Sequence, residues 1–514
     1  MMFYDPERNL IVYDAPALAE VEGAQPVGDY VAFEGTLRNL QTLHKLGQPI
    51  PAPLDYQYDW PGKFTPFEAQ KVTSNFAVVN PHCCIFNDTG TGKTCAALWA
   101  ADYLMRLYES AGRRLRWLIL APLSTLDVVW ADEIFKLFFS QRKYAVVYGD
   151  AKKREKQLAL DVDFYIANYA VTSIKSVAAE LQARQDIQGV IIDEASAYKH
   201  HDTDRHKEAR LLLGWRQFLW LMTATPTPNG PENAYGLAKL VNNAGGESFR
   251  SYQDRVMFSV GPWKRVPRLG AHEDALKLMS PAVRFKIEDC MDLPECTVQR
   301  REVPLSVEQA KAYKELERDA QLMMKDGSLV NAANQAVLRM KLIQIVCGAV
   351  YDGSHVAHEV DATPRIAVLR EVIEQCNEKV IVFAPLSSVV EMLYAKFREE
   401  FSCAVVNGET TSGQRKTIFD GFQHGDQPRV IFADPGTMAH GLTLTAATAI
   451  VWYGPTDKTE LYLQGNKRIH RPGQVNTTTI IQIASTPVEH EIYRRLQMNE
   501  TMLGAILKLV EDRR

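Results

Sequence analysis

Over most of its length the chain alternates short apolar runs with longer stretches in which apolar positions recur every three or four residues. Cys84–Phe86, Trp117–Ala121, Ala145–Tyr148, Phe164–Ala167, Val190–Ile192 and Phe218–Met222 read as buried strands. Strands that alternate with helices imply parallel crossovers, so residues 61–245 are expected to form one doubly wound α/β lobe. The same rhythm resumes at Val380–Ala384, Ala404–Asn407, Val430–Ala433, Ala449–Tyr453 and Thr478–Ile483, which predicts a second lobe of the same class over 361–514. Residues 246–360 break the pattern. They are charged and mostly of helical period, above all Ser306–Lys325 and Leu329–Val346, and are read as a helical insertion or connector. Residues 1–60 form a small N-terminal accessory region, with strands expected at Leu10–Tyr13 and Tyr30–Phe33, a helix at Thr36–Leu46, and Pro49, Pro51 and Pro53 closing it.

Composition narrows this picture. At 514 residues the chain exceeds what one hydrophobic core usually organises, which agrees with several domains. Lys plus Arg number 58 against 62 Asp plus Glu, a formal charge of -4. Bulk attraction to polyanions is therefore excluded, and any nucleic acid must be held locally. The first residues lack a basic stretch followed by an apolar one, and no apolar run is long enough for a bilayer, so secretion and membrane insertion are not expected. Eight cysteines without CxxC spacing favour neither a disulfide framework nor structural zinc and fit a reduced, cytoplasmic compartment.

Chemistry enters at Cys83-Cys84-Ile85-Phe86, followed by Asn87-Asp88-Thr89-Gly90-Thr91-Gly92-Lys93-Thr94 and the helix-forming run from Cys95 to Ala101. Strand, glycine loop and helix stand in the order a phosphate loop needs, with Asn87 where the strict pattern has Gly. Glycines let backbone N–H groups wrap phosphates at the positive end of a helix. Lys93 adds a point charge, and the Thr94 hydroxyl suits a Mg²⁺ position. Further on, Val190–Ile192 ends in Asp193-Glu194-Ala195-Ser196. One carboxylate at such an edge can serve a Mg²⁺ ion, and the next can orient or deprotonate an attacking water. Phe218–Met222 ends in Thr223-Ala224-Thr225-Pro226, hydroxyl residues suited to relaying nucleotide state.

Together with Gln464-Gly465-Asn466-Lys467-Arg468-Ile469-His470-Arg471-Pro472-Gly473-Gln474, these stretches resemble, in order, the motifs of superfamily-two helicases, and most closely the Swi/Snf-type branch. The size and the Asp-Glu-Ala-Ser variant are similar to helicase-like ATPases of phages and bacteria. The resemblance covers about residues 61 to 480 and implies two RecA-like lobes with ATP and Mg²⁺ bound between them. By resemblance Gln70 contacts adenine, with Phe64 or Phe67 stacking. Thr89, Gly90, Thr91, Gly92, Lys93, Thr94 and Gly441 bind the nucleotide, and Thr94 and Asp193 hold the metal. Lys93, Asp193, Glu194, Arg468 and Arg471 are the implied catalytic set, Arg471 being the arginine finger from the opposite lobe. Thr223, Thr225 and Gln464 would couple the lobes. Ser196 stands where the family pattern has His, and His440 interrupts an expected Gly-Gly pair.

The implied activity is that of a DNA-dependent ATPase, a translocase acting on duplex, forked or branched DNA in replication, recombination or repair. A strand-separating helicase, an RNA-directed motor and a non-cycling nucleotide-dependent binding module remain the alternatives, with residues 1–60 as a docking part for a protein partner. Nucleic-acid contacts implied by resemblance are Ser124, Thr125, Asn168, Tyr169, Gly408, Thr443 and Thr445. The basic clusters Arg113–Arg116, Lys152–Lys156 and Trp263–Arg268 are more often solvated faces than grips, and His200, His201 and His206 read as a polar surface loop rather than a zinc site.

Overall fold

The computed structural model describes residues 2–260, 265–325, 332–351, 356–376, 378–438 and 443–511. At the N-terminus β1 (Met2–Asp5), β2 (Leu10–Tyr13), β3 (Gln25–Val27) and β4 (Tyr30–Glu34) make an antiparallel sheet in the order β1-β2-β4-β3. Ile11, Tyr13, Val31 and Phe33 alternate onto one face and pack with Leu40, Leu43 and Val79. Val79 ends the helix Glu68–Val79, so this small sheet is seated on the first lobe.

The first lobe is a seven-stranded sheet built from β5 (His82–Ile85), β6 (Arg116–Leu120), β7 (Tyr144–Val147), β8 (Phe164–Ala167), β9 (Ile187–Ile192) and β10 (Phe218–Met222). After the hairpin β11 (Met257–Ser259) and β12 (Arg265–Pro267), the short β13 (Ala282–Val283) completes it. All pairings are parallel, in the order β13-β5-β10-β9-β6-β8-β7. Parallel strands are covered on both faces, which is why they read as unbroken apolar runs. Close packing here demands Gly189 in β9, since a Cβ at that position would stand 2.3 Å from the ring of Trp117. Register matters for function: Met222 pairs with Ile85 and Leu221 with Ile192, so β5, β10 and β9 end side by side at one edge.

The second lobe contains β14 (Cys296–Glu302), β17 (Lys379–Phe383), β18 (Cys403–Val406), β19 (Val430–Ala433), β20 (Ala447–Trp452) and β21 (Thr478–Ala484). Its order is β14-β21-β20-β17-β19-β18, again all parallel, with the hairpin β15 (Ala349–Tyr351) and β16 (Ala357–Glu359) outside it. Arg365, at the start of the helix Thr363–Gln375, is buried against Glu489 on the helix Pro487–Glu511. That last helix leaves the second lobe and returns to the first, where Glu511 meets Arg284 at 2.8 Å and Lys286 at 2.9 Å.

These pairings correct the expected boundaries. Residues 246–360 are not one helical connector: β13 closes the first sheet, and β14 already belongs to the second. The long helices Val307–Lys325 and Ala332–Cys347 are where periodicity puts them. Among the described residues, no helix is long and apolar enough to cross a membrane.

Candidate nucleotide site between the lobes

The loop after β5 turns into the helix Lys93–Ser110 through Gly92, whose φ of 74° lies in the left-handed region. A Cβ there would also stand 1.9 Å from Gln70 Nε2, so glycine is required by conformation and by space. Lys93 folds back over the loop and donates from Nζ to the carbonyls of Asn87 and Asp88 at 2.8 and 2.9 Å. Thr91 donates to the Asp88 carbonyl at 2.8 Å. At the end of β9 the Asp193 carboxylate accepts from the Trp130 indole N–H and from the Glu194 backbone N–H, each at 3.0 Å. Glu194 itself has φ 45° and ψ 51°, a strained conformation for a side-chain-bearing residue that aims its carboxylate into the cleft.

The opposite wall comes from the second lobe. Helix Thr459–Asn466 presents Gln464, whose Nε2 donates to Glu194 Oε2 at 3.4 Å. The next turn carries Arg468 and Arg471, both buried. Arg471 Nη1 donates to Thr443 Oγ1 at 3.1 Å, and Pro472 packs directly over Gly90. Thr89, Gly90, Lys93, Thr94, Asp193, Glu194 and Arg471 line one cleft of about 360 Å³. A second cavity of about 160 Å³ lies behind the loop and shares Thr89 and Glu194 with it.

Charge is concentrated here. Desolvation, then the Asp193 charge, pushes Glu194 up to about 7, against the pull of Lys93. Desolvation also raises Asp193 and lowers Lys93, each opposed by the other. Arg468 is brought down to about 9 by burial and by Arg471, and Arg471 to about 10 by burial. Cations held below their ordinary range beside a glycine cradle and a helix N-terminus favour a polyanion in this cleft. The donor set fits a nucleoside triphosphate, and the Thr94 hydroxyl and the Asp193 carboxylate, both lining the cleft, are oxygen donors of the kind that would hold a Mg²⁺ ion.

The other expected residues fall into place unevenly. Gln70 is buried and caps its own helix, accepting from the Phe67 N–H at 2.9 Å, while Phe64 and Phe67 are exposed. Thr223 and Thr225 are buried, Thr223 Oγ1 accepting from the Thr225 N–H at 3.1 Å. Of the residues expected on the nucleic-acid face, Thr125 turns inward, and Thr443 is exposed at the rim of the nucleotide cleft. Thr125 is buried, donates to the Pro122 carbonyl at 2.9 Å and lines the nucleotide cleft; Thr443 lines it too, as partner of Arg471. Ser124 and Gly408 are exposed, and Asn168 is held by Arg154 at 2.9 Å. Tyr169 donates to the Asp193 carbonyl at 2.8 Å, which ties that loop to the acidic pair, and Thr445 accepts from Gln423 at 3.0 Å. Gly441, Trp263 and Lys264 lie outside the described residues. Of the basic clusters, Arg114 and Arg116 pair with Asp161, and Arg116 also with Asp186. His201 packs on Phe249 and Tyr235, and His206 Nε2 lies 2.8 Å from the Gly236 carbonyl.

Sequence reasoning missed the residues that join the lobes. Lys467 Nζ reaches Asp88 Oδ1 at 3.0 Å, Arg284 Nη1 reaches the same oxygen at 3.2 Å, and Glu460 bonds to Ser196 and Lys199. Asp88 and Lys467 sit inside recognised motifs, at positions whose partners only the fold supplies.

A phosphate loop, an acidic strand end and arginines brought from a second sheet are the arrangement of a two-lobed P-loop protein. The chain belongs to the SNF2-related family: the SNF2-related domain matches residues 54–348 and the helicase conserved C-terminal domain residues 364–473. It is 23% identical over 441 residues to a putative ATP-dependent helicase/translocase, YwqA, of Bacillus subtilis, covering 83% of this chain and 46% of that protein. The chain thus spans less than half the length of that relative. It is 24% identical over 454 residues to a probable global transactivator of Orgyia pseudotsugata multicapsid polyhedrosis virus, covering 83% of this chain and 86% of that one. Among solved structures, the Sulfolobus solfataricus SWI2/SNF2 ATPase core in complex with dsDNA aligns over 88% of this chain and 96% of that chain, with 19% identity and a TM-score of 0.40.

Proposed function

We propose that this chain hydrolyses ATP and couples the cycle to movement on DNA. The observation that carries the reading is the convergence of Lys93 and Glu194 from one lobe with Arg468 and Arg471 from the other. Phosphoryl transfer needs little covalent chemistry but needs positive charge at the terminal phosphate. A site divided between lobes supplies that charge only when they close, which makes turnover conditional on a movement that a track can drive. Magnesium-ATP is the proposed substrate, its metal held by Thr94 and Asp193, and Glu194 orients and deprotonates the attacking water. The name of the bacterial relative, a helicase/translocase, supports the same activity.

Duplex, forked or branched DNA is the favoured track, gripped mainly through phosphates so that sequence preference is weak. Ser124, Asn168, Tyr169, Gly408, Thr443 and Thr445 remain the proposed contacts. The N-terminal sheet leaves Phe3, Val27 and Tyr30 exposed, which supports a protein partner there. The proposed compartment is the cytoplasm, where the eight free cysteines stay reduced.

The test is one ATPase assay with duplex, single-stranded, forked and junction DNA and with RNA, run beside forked-duplex unwinding. Stimulation by duplex or branched DNA is expected. Stimulation by RNA alone would identify an RNA-directed motor, and no turnover with any nucleic acid would sink the motor reading.

A further inference from the structure

Glu460 lies on the helix Thr459–Asn466 one turn before Gln464, so both face the first lobe. One of its carboxylate oxygens accepts from the Ser196 hydroxyl at 2.5 Å, and the other pairs with the Lys199 ammonium at 2.9 Å. Two donors on two oxygens fix the plane of the carboxylate as well as its position. Ser196 is two residues from Glu194, and Lys199 follows it at the end of the same short helical turn, Ala195–Tyr198. Lys199 and Glu460 are 17% and 21% exposed, so the pair is shielded well beyond an ordinary surface ion pair. Gln464 meets Glu194 from the same helix, and Arg468 and Arg471 follow one and two turns later.

We infer that Glu460 is a positioning residue: clasped by Ser196 and Lys199, it fixes the second lobe in the closed arrangement in which Arg468 and Arg471 address the nucleotide. Its carboxylate touches no substrate atom and acts through the arginines. The clasp exists only when the lobes are together, because its halves belong to different lobes. Replacing Ser196 by a residue without a donor removes one arm, and replacing Lys199 removes the other. The inference rests on the ATPase reading above, and it carries a structural readout that does not depend on turnover.

The experiment compares Glu460→Ala, Glu460→Gln, Lys199→Glu and the swap Lys199→Glu/Glu460→Lys in the full chain, by steady-state ATPase, melting temperature and small-angle scattering. A misplaced arginine slows chemistry more than binding, so Glu460→Ala is expected to lower kcat about 10- to 100-fold while KM for ATP moves less than about threefold. Glu460→Gln keeps an acceptor for Ser196 and should fall between; it also serves if the alanine variant fails to fold. The swap should recover about tenfold over the weaker single variant, which measures the Lys199–Glu460 coupling, while a loss confined to kcat with KM and melting temperature held separates positioning from a merely structural role. A kcat within about twofold of the parent in Glu460→Ala, or a swap no better than either single variant, overturns the clasp. If the parent hydrolyses no ATP with any DNA, the motor reading falls, and scattering still decides the clasp. Glu460→Ala must then give a larger radius of gyration than the parent, and an unchanged radius overturns it.

Discussion

Lys467 of the second lobe holds its ammonium 3.0 Å from the Asp88 carboxylate in the middle of the phosphate loop. Asp88 is nearly buried and also receives Arg284 at 3.2 Å. Burial alone would push this carboxyl up, but Lys467 and Arg284 outweigh it and hold Asp88 at about 2. Lys467 is 37% exposed, so its share is screened by solvent and modest. Lys467→Ala is expected to lower kcat/KM for ATP about two- to fivefold, an effect that shrinks as salt rises. Asp88→Ala should cost more, because it leaves Arg284 without this partner inside the loop. ATPase titrations across ionic strength check both.

Lys93 and Arg471 act at different stages and should separate in kinetics. In the structure Lys93 is bonded to loop carbonyls, and a bound phosphate offers it a full charge instead. Lys93→Ala is expected to abolish nucleotide binding or turnover with little change in melting temperature. Arg471 comes from the far lobe and works chiefly on the transition state, so Arg471→Ala should keep nucleotide affinity within a few-fold and lose about 10³ or more in kcat. Fluorescent-nucleotide binding beside single-turnover hydrolysis separates the two. Normal hydrolysis in the Arg471 variant would show that the lobes meet differently.

Most of the fold was legible because parallel strands are covered on both faces and advertise themselves as apolar runs. The strands that moved the domain boundaries do not have that signature. Cys296–Glu302 carries Gln299, Arg300, Arg301 and Glu302 on an edge of the second sheet, and Ala282–Val283 is two residues long. Their membership is set by neighbours far away in sequence. The site divides in the same way. Lys93, Glu194 and Arg471 sit in linear motifs, whereas Asp88 and Lys467 are 379 residues apart and Ser196 and Glu460 are 264 apart. No local pattern announces such pairs. Thr125, expected among the nucleic-acid contacts, is buried instead, because spacing does not say which way a loop residue faces.

Stability should depend strongly on the buried pair in the second lobe. Arg365 and Glu489 are 1% and 0% exposed, and Arg365 also donates to the carbonyl of Tyr453 at 2.8 Å. Removing one member leaves an uncompensated charge in a low-dielectric core. Glu489→Ala is expected to destabilise the second lobe by about 3–5 kcal/mol, whereas the double replacement Arg365→Met/Glu489→Leu should cost far less. Calorimetry that resolves the two lobes tests this, and equal losses in the single and double variants would refute it.

Glu194 sets the pH dependence. Desolvation, the Asp193 charge and, more weakly, Glu460 raise it to about 7 in the nucleotide-free protein. A water-activating base must be ionised, so kcat/KM should rise with pH, reach half its plateau near about 7 and fall about tenfold per unit well below that. The terminal phosphate of the nucleotide titrates close by, near about 6 if it behaves as a phosphate monoester, so a single profile is ambiguous. Glu460→Gln resolves the ambiguity. It removes one negative charge that raises Glu194, so the acidic limb must move to lower pH if Glu194 is the group observed, and must stay where it is if the nucleotide is. Glu194→Gln, which cannot ionise, should lose turnover across the whole range while binding nucleotide.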